Sequence, residues 1–145
     1  MWFGTNPMPR ICGECIESWH KVLPSDWSFQ FWNEDNYDVE INNFVLQAYS
    51  SGNYAFVSDY ARWDILHRQG GVYVDTDVFL LKDITPLLSN KAFGGQNCSG
   101  VFASGLILGA ESRRTADEDR AAASVLVRAL QARGILFHRR HVPPY

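Results

Sequence analysis

The sequence lacks a basic excess, a long apolar run and a cysteine framework, and each absence removes a class of function. Its formal net charge is −3, so no positive field is available to release counterions from a nucleic-acid backbone, and nucleic acid is not an expected partner. The longest apolar stretch, VFASGLILGA at 101–110, falls short of the ~20 residues that a bilayer-spanning helix needs. No basic segment followed by an apolar one opens the chain. The expectation is a cytoplasmic chain without a transmembrane segment, with at most peripheral contact at a membrane. Cys12, Cys15 and Cys98 form an odd set, which fits reduced thiols. The first two spell C-x-x-C, yet no further pair at zinc-ligand spacing accompanies them and no strand of a βαβ unit precedes them. With Ile16, Trp19 and Leu23 they share one face at helical spacing, so they read as buried core thiols and not as a metal or redox site.

What the sequence does hold is material for about one core, with 46% hydrophobic and 14% aromatic residues. A helix is predicted from about Ile11 to Val22, ending before Pro24, which brings no amide donor and biases its predecessor away from helix. WSFQFWN, 27–33, alternates with Trp27, Phe29 and Phe31 on one face, the pattern of a half-buried strand. A short helix over Asn42 to Tyr49 gathers Phe44, Val45 and Ala48 before SGN breaks it. The next helix closes at Gly70 and Gly71, where a left-handed cap is easiest for glycine, and the strand VYVDTDVFLL, 72–81, leaves directly. A further strand is expected within 101–109, then an Ala-rich helix opening on a capping-box pattern at Thr115 and Glu118. Helices alternating with strands give an α/β class. Composition shifts near residue 112: seven of the ten arginines lie from Arg113 onward and the chain ends in HRRHVPPY. Residues 1–111 therefore read as the folded core, and 112–145 as an amphipathic helix with a polar tail in which His138 and His141 are solvated.

Asp75 and Asp77 stand among Val72, Val74 and Phe79, and carboxylates beside an apolar strand are costly to desolvate unless something positive meets them. On a strand, residues two apart point the same way with Cα atoms roughly 6.5 Å apart, so both carboxylates would address one hard cation, or a cation and a sugar hydroxyl. Oxygen ligands with open positions suit Mg²⁺ or Mn²⁺ shared with nucleotide phosphates. D-x-D alone is a short pattern that an exposed acidic pair also satisfies. Its place after a helix and Gly-Gly is one where α/β ligand sites form.

FVSDYARWDILHRQGGVYVDTDVFLL, 56–81, resembles the sugar-binding region of DXD-containing glycosyltransferases. That group includes mannosyltransferases, capsular polysaccharide glycosyltransferases and, more distantly, glucosylating clostridial toxins. WFG, CIESW, FWNEDNYD and KAFGG match its pattern in the same order, and the similarity spans about residues 2–111. The resemblance implies a GT-A-type nucleotide-diphospho-sugar transferase fold and a divalent cation, Mn²⁺ or Mg²⁺. It further implies a UDP- or GDP-hexose donor, a saccharide acceptor in polysaccharide, capsule or glycan biosynthesis, and retention of anomeric configuration. Asp75 and Asp77 match its D-x-D, with Asp77 implied as the direct metal ligand and Asp75 nearer the ribose or donor sugar. Asp59 and Arg62 match the S-D-x-x-R block that holds the donor sugar, Ser58 assists by hydrogen bonding, and Trp2 matches the tryptophan that stacks on the base. By spacing alone, Asp59 and Arg62 read as an i,i+3 ion pair on a helix face, and Trp2 as a packing residue.

Two departures accompany the match. Relatives carry a short apolar strand before W-F-G and an H-x-x-S-W block later, and neither is present here, so the expected fold is shortened at both ends. An alternative reading stays open: a non-catalytic remnant that binds nucleotide or a partner. A haloacid-dehalogenase-type phosphotransferase also uses D-x-D after an apolar strand, the first Asp as nucleophile, but it expects Thr or Val where Phe79 stands.

Overall fold

In the computed structural model, which describes residues 1–112, proline brackets the first helix. α1 (Arg10–Val22) starts after Pro9 and ends at an extended Leu23 before Pro24. It buries Cys12 and Cys15, as the spacing predicts, and also Ser18. α2 (Asn43–Ser50) is capped by Asn42, whose side chain accepts from Val45 N at 3.0 Å, and it buries Val45 and Ala48. α3 (Tyr54–Gln69) ends where Gly70, at φ 70°, donates its N–H to Leu66 O at 2.8 Å. A Cβ on Gly70 would also meet Ser112 N at 2.6 Å, so conformation and space both call for glycine there.

β1 (Gly71–Val74) leaves that glycine pair and pairs antiparallel with β3 (Ile107–Ala110), which pairs antiparallel with β2 (Ala92–Gly94), giving the order β1-β3-β2. Leu66 of α3, Tyr73 of β1 and Leu108 of β3 form a buried cluster, with Met1 and Trp63 packed against it. Phe3, Tyr37, Val45, Ala48 and Val57 are buried too, with the Phe3 and Tyr37 rings edge to face at 5.9 Å. The described residues lie within one compact unit, Met1–Arg113. The Ala-rich helix expected after Thr115, the basic tail, His138 and His141 fall outside the described residues.

The mixed class agrees with expectation, but three details differ. The sheet is small and antiparallel throughout. The strand expected over 72–81 stops at Val74 because a turn begins at Asp75. The segment 27–33 forms no strand, and Phe29 and Phe31 are 43% and 45% exposed. Alternation supplies an apolar face but not a ladder. Residues 27–32 and β1 instead line one cavity of about 670 Å³, and 27–33 pair with no strand among the described residues. β2 and a 3-10 helix, Thr85–Ser89, were not anticipated; Asp83 opens the latter by accepting from Thr85 N at 2.8 Å and from its hydroxyl at 2.6 Å.

Candidate functional site

The D-x-D sits on a turn and not on a strand. Asp75 N donates to Leu106 O at 3.2 Å, one step past the paired residues of β1, and Val78 N returns to Asp75 O at 3.0 Å. Thr76 and Asp77 thus occupy the centre of a four-residue turn. Thr76 is buried, Asp75 half-buried and Asp77 exposed. Asp75 and Asp77 therefore do not share a face by strand alternation: the turn after β1 sets where the two carboxylates lie.

α1 anchors this turn from below. Ser18 Oγ accepts from Leu80 N at 2.9 Å while donating to Cys15 O at 2.6 Å, and Trp19 Nε1 donates to Val78 O at 2.7 Å. Burial pushes the Cys15 thiol up, with Cys12 and then Asp77 adding repulsion, which keeps it a neutral core group. Sequence reasoning missed Ser18. Its signal is a hydroxyl at a position of the apolar face.

From α3, Arg62 turns inward. Its guanidinium is 5% exposed, with Nη2 2.7 Å from Asp59 Oδ1, Nε donating to Ser58 O at 3.2 Å, and the carbon centre 4.7 Å over the Tyr73 ring. A buried guanidinium needs such a counter-charge, and Asp59, at 37% exposure, joins it to solvent. This is not the exposed pair that spacing alone describes. The Ser58 hydroxyl back-bonds to Tyr54 O at 3.1 Å, so it is the Ser58 carbonyl that steadies Arg62. Tyr73, which sequence reasoning did not single out, lies beneath Arg62 with its hydroxyl buried; the hydroxyl forms no well-aligned hydrogen bond among the described residues, and Asp75 is the carboxylate that acts on it as an acceptor. Burial chiefly raises its ionisation; Arg62 pulls the other way and Asp75 adds to the rise.

The turn leading into β3 closes the centre, since a Cβ placed on Gly105 would lie 3.0 Å from Arg62 Nη1 and 3.9 Å from Asp75 Oδ2. Arg62 and Asp75 therefore face one small region from two elements. Arg62, Tyr73 and Thr76 also line the cavity beside β1, whereas Asp59, Asp75 and Asp77 do not. Trp2 is half-buried, donating its backbone N–H to Trp32 O at 2.9 Å and its Nε1–H to Asn6 O at 2.8 Å, and neither bond reaches the acidic centre.

The donor set suits a hard cation held in part by a ligand. Among the described residues no group of three or more His, Cys, Asp or Glu is placed to enclose a metal. Asp75, whose Oδ1 accepts from Thr76 N at 2.9 Å, and the exposed Asp77 are oxygen donors of the kind by which Mg²⁺ and Mn²⁺ are bound, one or two carboxylates plus phosphate oxygens and water. They do not match a closed zinc site. No helix among the described residues is long and apolar enough to cross a membrane.

Comparison with known proteins bears on this geometry. The family described as "Glycosyltransferase sugar-binding region containing DXD motif" matches residues 9–94, a span that includes Ser58, Asp59, Arg62, Asp75 and Asp77 but not Trp2. The chain is 31% identical over 103 residues to inositol phosphoceramide mannosyltransferase 1 of Schizosaccharomyces pombe (strain 972 / ATCC 24843). That alignment covers 64% of this chain and 31% of the relative, so the chain spans about a third of the relative's length. No solved structure matches. The family match covers more than half of the sequence, and the chain belongs to the DXD-containing glycosyltransferase sugar-binding family.

Proposed function

We propose that this member of the DXD glycosyltransferase family supplies the donor-binding core, residues 1–111, of an enzyme that moves a hexose from a UDP- or GDP-hexose to a saccharide acceptor. The observation that supports this most is the convergence of the buried Arg62–Asp59 pair and the half-buried Asp75 at Gly105. Guanidinium and carboxylate there offer donors and an acceptor to sugar hydroxyls or phosphate oxygens. Asp77, with Asp75, would hold Mn²⁺ or Mg²⁺, and such an ion, when bound, stabilises negative charge on the diphosphate. In this reading the bond from the anomeric carbon to phosphate breaks as the acceptor oxygen bonds to that carbon on the same face. The acceptor proton passes to the departing phosphate oxygen, and the configuration is retained. Arg62 and Asp59 hold the sugar in place through these steps, so the protein contributes mainly position and charge.

The test is calorimetric titration of the 145-residue chain with GDP-mannose, UDP-glucose and UDP-galactose, with and without Mn²⁺. The name of the fission-yeast relative puts a mannose donor first. Binding of one donor that requires the metal, and that Asp77→Asn abolishes without changing the circular dichroism spectrum, is expected. A folded chain that binds no donor, or an Asp77→Asn variant that keeps metal-dependent binding, would sink the reading.

A further inference from the structure

We infer that Gly105 is a specificity-determining position: its missing side chain keeps open the gap between the Arg62 guanidinium and the Asp75 carboxylate for the hexose ring of the donor. The inference rests on the donor-site reading above and adds to it a residue outside the matched span of 9–94.

Backbone conformation does not require glycine here. Among the described residues the glycines with positive φ are Gly4, Gly52, Gly70, Gly71 and Gly100, so Gly105 lies in a region open to other residues. Leu106 N donates to Ala103 O at 3.0 Å, which makes Gly105 the third residue of a four-residue turn. Space is the remaining reason for glycine. Apart from Arg62 Nη1 at 3.0 Å and Asp75 Oδ2 at 3.9 Å, no heavy atom of the described residues beyond the chain neighbours comes within 4 Å of a Cβ placed there.

Neither wall of the gap can step aside easily. The turn is pinned by Ala103 N to Gly95 O at 2.9 Å and by Asp75 N to Leu106 O at 3.2 Å. Arg62 is held by Asp59, by Ser58 O and by the Tyr73 ring. An atom added at 105 therefore enters the gap or displaces Nη1. Arg62 pairs with Asp59 and not with Asp75, so a donor and an acceptor face the gap without satisfying each other. That is the complement of adjacent hydroxyls, each of which both donates and accepts. The hexose of a nucleotide sugar brings such hydroxyls beyond the phosphates, whereas its nucleoside diphosphate carries only those of the ribose.

The experiment compares Gly105→Ala and Gly105→Ser with the wild-type chain by calorimetry in Mn²⁺, using the nucleotide sugar that the wild type binds and its nucleoside diphosphate. Overpacking by one methyl group is expected to weaken the nucleotide sugar about tenfold or more, while the diphosphate stays within about twofold and the melting temperature is kept. The split between sugar and diphosphate is what a purely structural role would not produce. Wild-type binding with an unaffected variant, or with equal loss of both ligands, would overturn the inference and leave the donor-site reading standing. A wild-type chain that binds no nucleotide sugar would overturn both.

Discussion

Replacing Ser18 by alanine tests whether α1 holds the D-x-D turn, because two effects of opposite sign compete. Ser18 is 2% exposed in the middle of α1, where alanine is the better helix former by about 0.5 kcal/mol. Its hydroxyl, however, is the acceptor for Leu80 N at 2.9 Å, and Leu80 is itself buried. Without that acceptor a buried N–H loses its partner, which costs about 1–3 kcal/mol. The Cys15 carbonyl loses less, since it lies within α1 and keeps its place in the helical ladder. The hydrogen bond outweighs the propensity gain, and Ser18→Ala should destabilise the chain by about 1.5 kcal/mol. Urea unfolding followed by tryptophan fluorescence measures this as a lower midpoint at unchanged slope. Because Leu80 follows Asp77 by three residues, Mn²⁺ affinity should fall as well. A variant as stable as the wild type, or more stable, would refute the bridge between α1 and the turn.

Tyr73→Phe removes a buried hydroxyl that forms no well-aligned hydrogen bond among the described residues while leaving the ring under Arg62, so stability should be unchanged or rise by up to about 1 kcal/mol; a thermal melt showing a clear loss would mean that Asp75 satisfies the hydroxyl. Stability should also fall in alkali. Tyr37, which donates to Asp64 at 3.1 Å, and Tyr73 are both raised from the ordinary value of 10.0, chiefly by burial, and keep their protons where the unfolded chain loses them. Their contribution is therefore complete below pH 10 and declines above it, by about 1.4 kcal/mol per pH unit for each tyrosine. Urea midpoints from pH 8 to 11 check this, and a Tyr37→Phe/Tyr73→Phe variant with an equally steep fall would show that other groups are responsible.

The centre at Gly105 is built from three places in the chain. α3 contributes Arg62 and Asp59, the turn after β1 contributes Asp75, and the turn before β3 contributes the glycine. Two of those three were evident as motifs. The third was not, because a glycine whose backbone is ordinary carries no local signal, and its meaning comes only from which side chains a Cβ would meet.

The sequence by itself determined what depends on neighbours a few residues apart. Pro9 and Pro24 bound α1, Asn42 caps α2, Gly70 ends α3, and Asp59 and Arg62 meet because three residues bring them onto one helical face. Tertiary structure decided what needs a distant partner. Residues 27–33 alternate like a strand but have no ladder across the cavity from β1, and Asp75–Val78 turn although their composition continues that of β1. Arg62 is buried, where its spacing alone described an exposed pair, because Tyr73 and the turn at Gly105 close around it. Helical and turn preferences act within the chain's own neighbourhood; strand pairing and the burial of charge depend on contacts that only the assembled fold supplies.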